Sequence, residues 1–185
     1  MGGVIMNLEL RKDVMTAKDS NIIYVARNLV CDGTNWFDTG FAPFSTDNAN
    51  VDFMLTIRFN TFETVSGSGG QESLFTCKYE GTLSGQQWPG FLIRRKSGGG
   101  GLYFDIGGYS YWQPTIAALK DSNLYFWRKS GTFYAKSDSD GVTHTLSVRL
   151  ATFDQNIIIG AAEQTNGTKF RYGKSNINYV RLEYI

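Results

Sequence analysis

The stretch NLVCDGTNWFDTGFAPF, residues 28–44, decides the fold class of this chain. Its apolar start runs into the polar turn DGTN, where Gly33 can take a positive φ and the Asp and Asn side chains can bond nearby backbone. The chain leaves the turn with alternating side chains, which is the period of a β-strand with one buried face. The predicted unit is therefore a strand, a tight turn and a second strand.

The two faces of the strand after this turn carry different residues. Phe37, Thr39 and Phe41 form one face, which we expect to join the core because it holds both phenylalanines. Trp36 and Asp38 share the opposite face, where a ligand could contact them.

The same alternation recurs along the rest of the chain. Residues 51–59, VDFMLTIRF, alternate apolar and polar side chains, as expected for a half-buried antiparallel strand. The C-terminal residues 178–185 also alternate, and a strand this regular is normally paired inside a sheet. About ten to twelve such segments, spaced by roughly eight to twelve residues, are typical of an antiparallel sandwich or barrel. The sequence therefore predicts an all-β fold.

Several local connections can also be predicted. Residues 91–95 and 102–106 read as one hairpin, and residues 124–129 and 132–137 read as another around Ser130-Gly131. Residues 114–119 are the one helical turn predicted within the β-rich part, with a proline near its start.

Composition excludes several classes of partner. The chain of 185 residues has 18 Lys and Arg against 17 Asp and Glu, scattered singly, so no basic stripe marks a nucleic-acid track. No window approaches the ~20 apolar residues of a membrane span, and the charges after Met6 interrupt any secretory signal. We therefore expect synthesis in a cytoplasm, with neither nucleic acid nor a membrane span involved.

Residues 1–22 differ from the remainder. They are charged, lack aromatic side chains and precede the first β-like run, so we predict an N-terminal arm or anchor at residues 1–22 and one domain at residues 23–185. Cys31 and Cys77 fit neither a disulfide framework nor a zinc spacing. We interpret both as buried, unpaired thiols.

The order of these elements resembles the laminin-G-like, concanavalin-A-like lectin and glucanase family. CDGTNWFDTGF, residues 31–41, is similar to the first motif of that family, and residues 51–59, 74–78 and 123–135 are similar to its next core strands and central hairpin. The segment 157–185 is similar to its closing pattern, with Gly160 after an apolar strand and Val180, Arg181 and Tyr184 in the last one. The resemblance implies an antiparallel two-sheet jelly-roll sandwich.

The resemblance also bears on activity. The glycoside hydrolases of this family carry acidic residues at alternate positions of one strand, and no E-x-D-x-E or E-x-D-x-x-E occurs in this chain. Asp38, Asp52 and Asp105 could place carboxylates on one sheet, but we interpret them as solvated strand or turn residues. His144 lacks the G-x-S-x-G context of a nucleophilic serine, so we expect no catalytic residue and no enzyme.

Sugar binding fits the composition better, because it needs exposed aromatic faces beside short polar side chains. Trp88 is the leading candidate, since it lies in a Gly- and Gln-rich loop with little core to join. The other candidates for glycan binding are Trp36, Asp38, Tyr109, Tyr111 and Trp112. No cofactor is predicted, although turns at Asp32, Asp38, Asp138 and Asp140 could bind calcium.

Three functions follow from these observations. The leading prediction is a non-catalytic structural component of a phage virion, either decorating the capsid or binding the host receptor, with residues 1–22 contacting other virion subunits. The alternatives are a carbohydrate-binding module of a bacterial surface or glycan-degrading system, and a glycoside hydrolase. A cyclic homo-oligomer is a further expectation for a virion component.

Overall fold

The computed structural model describes residues 21–63, 72–95, 100–106, 109–110, 112–147, 150–163 and 167–185. The predicted arm at residues 1–22 lies outside this range apart from its last two residues, and Ile22 already begins the first strand. The elements are β1 Ile22–Asp32, β2 Phe37–Asp38, β3 Phe53–Glu63, β4 Ser73–Lys78, β5 Thr82–Leu83, β6 Gln86–Gln87, β7 Gly90–Arg95, β8 Leu102–Ile106, β9 Tyr109–Ser110, α1 Ile116–Leu119, β10 Asn123–Lys129, β11 Thr132–Ser137, β12 His144–Leu146, β13 Ile158–Ile159, β14 Ala162–Glu163, β15 Lys169–Phe170 and β16 Lys174–Tyr184.

Two six-stranded antiparallel sheets contain most of the described residues, which confirms the predicted all-β sandwich. Sheet I has the order β1-β16-β3-β10-β11-β12, and sheet II has the order β2-β13-β4-β7-β8-β9. The pair β5 with β6 lies in the connection between β4 and β7, and the pair β14 with β15 lies between β13 and β16. The final strand β16 pairs with both β1 and β3, so the C-terminal strand is inside a sheet as predicted.

The two predicted hairpin pairings and the predicted helical turn are present. β7 pairs with β8, β10 pairs with β11, and the short helix α1 follows Pro114. β1 is one continuous strand, because its pairing with β16 extends through Arg27.

The core lies between the sheets and is built from phenylalanine rings. The centroids of Phe91 in sheet II and Phe126 in sheet I are 4.5 Å apart, and Phe75 is 5.6 Å from Phe126. Rings at these separations attract each other beyond the gain from apolar burial. The alternation at 53–59 is confirmed, because Phe53, Leu55, Ile57 and Phe59 are fully buried.

Sheet II is buried on both of its faces. Leu92 and Ile158 point away from the core on the outer face, yet they are 0% and 1% exposed. The segment from Gly160 onward contacts β4 here, and the Ser73 amide donates to the carbonyl of Arg171 at 2.9 Å. Gly160 has a φ of 83° and lies so close to Cys31 that a Cβ would be 2.4 Å from Sγ, so only glycine fits.

Both cysteines are buried and neither forms a disulfide, as predicted. Burial raises the pKa of the Cys31 thiol from 9.0 to about 11, and its hydrogen bond with Ser175 opposes this shift. The residue therefore stays a neutral thiol inside the core.

A buried arginine holds the loop between β2 and β3. Arg128 is 2% exposed, and its guanidinium donates to the carbonyls of Pro43 at 3.1 Å, of Asn48 at 2.6 Å and of Val51. Burial lowers the pKa of Arg128, and Asp52 opposes the shift. One side chain therefore satisfies three loop carbonyls.

No helix among the described residues is long and apolar enough to cross a membrane.

We expect Arg128→Met to lower the free energy of unfolding by about 3 kcal/mol or more, because it leaves part-buried carbonyls without donors. Arg128→Lys should recover little of this loss, since one ammonium cannot reach three separated carbonyls as a planar guanidinium does. Urea unfolding followed by tryptophan fluorescence measures both. Arg58→Met, on an exposed position of β3, is the control and should shift stability by about 0.5 kcal/mol or less. An unchanged midpoint for Arg128→Met would contradict this role.

We expect the stabilising effect of Cys31 to fall between pH 9 and pH 11. The unfolded thiol ionises near 9.0, whereas the folded thiol stays protonated until about 11, so the unfolded state binds fewer protons in this window. The free energy of unfolding of the wild type relative to Cys31→Ala should decrease by about 2 kcal/mol between pH 8 and pH 10.5. Urea unfolding of both proteins at each pH, in reducing buffer, tests this. A pH-independent difference would contradict it.

Candidate functional site

Charged side chains gather on the outer face of sheet II. We call Lys78, Glu80, Arg94, Asp105 and Arg171 the cationic cluster. The Lys78 Nζ lies 3.7 Å from Asp105 Oδ2 and 3.8 Å from Glu80 Oε1, and the Arg94 Nε lies 3.6 Å from the same Asp105 oxygen. Arg171 interacts electrostatically with Glu80, Arg94 and Asp105. Three cations therefore share two carboxylates.

The cationic cluster is largely withdrawn from water. The Lys78 side chain is only 6% exposed, and those of Asp105 and Arg94 are 15% and 17% exposed. Burial lowers the pKa of Lys78, while Asp105 and then Glu80 oppose the shift. Burial also lowers the pKa of Arg171, with Glu80 opposing and Arg94 adding to the effect. For Lys78 and Arg171, the two carboxylates thus offset only part of the effect of burial on the pKa.

Two polar atoms of the cationic cluster lack hydrogen bonds within the described part of the chain. They are Asp105 Oδ1 and Arg94 Nε, and both are buried. The Arg94 Nε contact with Asp105, at 3.6 Å, is an ion pair too long for a hydrogen bond. Buried polar atoms in this state are costly, and they are found at sites where a ligand or an ordered water supplies the partner.

Trp88 lies beside this cluster. The residue is 39% exposed, and its ring centroid is 5.3 Å from the Lys78 Nζ, which is within the range of a cation–π contact. The residue directly follows the β5–β6 hairpin, and its amide donates to the carbonyl of Gly81 at 2.7 Å. The structure thus places the leading sequence candidate against the ammonium group of Lys78, which ends β4.

Two bulky residues at this site have left-handed backbone conformations. Trp88 has a φ of 52° and Arg171 a φ of 50°. A left-handed φ costs an L-residue with a side chain about 1–2 kcal/mol relative to the right-handed region. Strain of this kind concentrates at functional sites. Here the two left-handed conformations place the Trp88 ring and the Arg171 guanidinium at the cationic cluster.

Trp36 and Asp38 lie at the β2 edge of sheet II. Trp36 is 40% exposed, and its ring is 6.0 Å from that of Tyr172, the neighbour of Arg171. Asp38 is exposed, and its Oδ1 accepts from the Gly40 amide at 2.8 Å. The predicted separation of faces in this strand is confirmed, because Thr39 and Phe41 are buried.

The remaining aromatic candidates are placed differently. Trp112 is 8% exposed and belongs to the core, where its ring lies 4.7 Å from Phe104 and stacks on His144 at 4.5 Å. It therefore offers no open face to a sugar, because its ring is enclosed between Phe104 of β8 in sheet II and His144 of β12 in sheet I. Tyr109 lies in β9, which pairs with β8, and Tyr111 lies outside the described residues.

The carboxylates considered for hydrolysis do not form a pair. Asp38 belongs to sheet II, whereas Asp52 directly precedes β3 of sheet I, which corrects the idea that both share one sheet. Asp105 lies between Lys78 and Arg94, and its Oδ2 is 3.7 Å and 3.6 Å from their nitrogens, so it is engaged in two ion pairs. The His144 ring is 3.4 Å from Asp140 and stacks on Trp112.

The calcium candidates are used as turn caps. Asp32 Oδ1 accepts from the amide and hydroxyl of Thr34 at 2.8 Å, and these hydrogen bonds lower the pKa of the carboxyl. Asp140 Oδ1 accepts from the Val142 amide at 3.1 Å. Within the described residues, no group of three or more His, Cys, Asp and Glu side chains is arranged to hold a metal ion.

Sequence reasoning found Trp88 but missed its charged neighbours. Lys78 closes an apolar strand and Arg171 lies in a polar loop, and the two are far apart in the chain. Only the pairing of β4 with β7 and the return of the chain after Gly160 bring them together. One local signal was present in the sequence: Lys78 directly follows the residues LFTC. In the structure it ends a strand that is buried along its whole length.

No protein-family model matches the chain, and no curated protein matches it. Among solved structures, the chain is similar to part of a mutant NanB sialidase from Streptococcus pneumoniae, with a TM-score of 0.54 and 14% identity over 89% of this chain and 27% of that one. It is also similar to NanB with Optactamide, with a TM-score of 0.51 and 14% identity over 88% and 26% of the two chains. The chain spans about a quarter of these structures, and the likeness shows the β-sandwich fold.

We expect Trp88→Gly to be more stable than Trp88→Ala by about 1 kcal/mol, because glycine adopts a left-handed φ without strain. Both variants remove the ring, so the comparison isolates the backbone. Urea unfolding of the two variants measures the difference. Val142→Gly against Val142→Ala, at an exposed position outside the left-handed set, is the control and should not favour glycine. Equal stability of both Trp88 variants would contradict stored strain.

Proposed function

We propose that this protein is a non-catalytic carbohydrate-binding module that binds an acidic glycan at the cationic cluster and Trp88. The observation that carries the proposal is an exposed indole ring beside a buried cluster in which three cations face two carboxylates. A ring face and a nearby positive charge are the two groups that recognise an acidic sugar.

The chemistry of binding follows from the charges. A carboxylate or sulfate on the glycan would supply the negative charge that the cluster lacks, and Arg171 could bind it through two parallel N–H donors. The unsatisfied Arg94 Nε would gain an acceptor from the same group. The apolar face of a sugar ring would lie on Trp88, where the indole is partly open to solvent.

The fold supports a carbohydrate partner, since the chain shares its β-sandwich with part of a sialidase. Fold by itself does not decide function, so the site carries the argument. The proposal that the module is not an enzyme rests on two observations. The family's alternating acidic motif is missing from the sequence, and Asp105 lies between two cations.

The role as a phage virion component stays a prediction. It depends on residues 1–20, which lie outside the described range, and on partners that contact them. A glycan-binding module is compatible with that role because a virion protein that binds its host at a surface glycan needs such a site.

We expect Arg171→Gln to weaken binding of acidic glycans at least about tenfold, because it removes a charge-assisted donor. A printed array of sulfated, uronic-acid, sialylated and neutral glycans identifies the ligand, and calorimetry with the best acidic binder gives Kd. Affinity should also fall as salt rises from 50 to 500 mM, because the shortened Debye length screens the partly exposed charges.

Arg27→Gln is the matched control for this test. Arg27 is an exposed arginine on β1 of sheet I, so its loss should leave the affinity unchanged. The proposal would be overturned by an array without any acidic binder, or by an Arg171→Gln protein that binds as tightly as the wild type.

A further inference from the structure

A groove crosses the outer face of sheet I, on the opposite side of the molecule from the cationic cluster. Its volume is about 350 Å³, and its lining includes Met54, Tyr125, Trp127, Lys136 and Asp138. We call it the hairpin groove because β10 and β11 supply most of its wall. The volume falls within the range of small-ligand sites, about 300–1,000 Å³. Of these residues the sequence singled out only Asp138, as a calcium candidate in a turn.

The indole ring of Trp127 forms the apolar wall of the hairpin groove. Trp127 pairs across the strands with Tyr134, and their rings stack at 5.2 Å with an interplanar angle of 19°. On its other side, Trp127 pairs with Met54 of β3. The indole is half-buried, and Tyr134 holds it from one side. Such a ring presents an apolar surface with little loss of side-chain freedom on binding.

The polar end of the hairpin groove is built around one carboxylate. Asp138 Oδ2 accepts from the Asn123 amide at 2.8 Å and from the Tyr125 hydroxyl at 3.3 Å. No hydrogen bond of a described residue ends on Asp138 Oδ1, so this oxygen can accept from a ligand. The Asn123 amide also contacts the Tyr125 hydroxyl at 3.3 Å, which fixes the three groups relative to one another.

These two walls together match the chemistry of a pyranose. A sugar ring has an apolar C–H face that packs on an aromatic ring, and hydroxyl groups at its edge that donate to a carboxylate. Lys129 and Lys136 line the same groove and supply N–H donors for sugar oxygens. Stacking without the carboxylate would fit any flat apolar molecule, and the carboxylate without the ring would fit any donor.

We propose that the hairpin groove is a second glycan-binding site, which stacks a pyranose on Trp127 and accepts hydrogen bonds from its hydroxyl groups at Asp138. The site is independent of the cationic cluster, since its residues belong to sheet I and not to sheet II. Two sites on opposite faces let one module contact two glycan chains at once, which raises avidity without a tighter individual site.

The test uses the full chain carrying Arg171→Gln and Trp88→Gly, so that the result does not depend on the first site. The probes are tetrasaccharides of glucose, mannose, galactose and N-acetylglucosamine, together with tetragalacturonate to distinguish uncharged from acidic sugars. Isothermal calorimetry should show that at least one probe binds, and adding Asp138→Asn should weaken it at least about tenfold.

Asp47→Asn is the matched control, since Asp47 is an exposed carboxylate in the loop after β2, and it should leave Kd unchanged. Trp127→Phe tests the ring separately, and it should weaken binding of the same probe. A urea-unfolding midpoint close to that of the parent protein shows that the variant is still folded. A purely structural role for the stacked pair predicts altered stability with unchanged binding. The proposal is overturned if no probe binds, or if Asp138→Asn binds as tightly as the parent.

Discussion

The packing of phenylalanine rings between the two sheets is the constraint on which the rest of the structure depends. Phe91 and Phe126 bring sheet II and sheet I to a centroid separation of 4.5 Å, and Phe44 from the loop after β2 stacks on Phe153 at 4.9 Å. Because the rings interdigitate, the two sheets cannot slide without opening voids. Arg128 extends this constraint to the same loop by holding its carbonyls. The outer faces are thereby displayed on a rigid support.

The two outer faces use that support in different ways. On sheet II the chain buries Lys78 and its charged neighbours and keeps Trp88 and Arg171 in left-handed conformations. Both features lower the stability of the fold at this site. On sheet I the outer face carries an unstrained cross-strand pair of rings and an exposed carboxylate. The outer face of sheet II depends on the chain between β13 and β16, which supplies Arg171. The hairpin groove is formed mainly by the β10–β11 hairpin and the adjacent strand β3.

A residue of the candidate site can be predicted from the sequence when its exposure is decided by its neighbours in the chain. Trp88 could be found because its Gly- and Gln-rich surroundings offer no core, which is a local property. Lys78 and Arg171 could not be matched, since their meeting depends on the order of strands in sheet II. Trp112 was one of the aromatic candidates for glycan binding, and its burial depends on Phe104 of sheet II and His144 of sheet I coming together around it.

The sequence by itself determined the strands, the hairpins, the buried face of β3 and the burial of two cysteines that form no disulfide. These features depend on side-chain alternation, turn residues and composition, which act within a few residues of the chain. Only the tertiary structure decided which strands are neighbours, which face of sheet II is covered, and which charges meet beside Trp88. Pairings such as β16 with β1 join residues from opposite ends of the chain, and their energy depends on shape and burial that no local pattern contains.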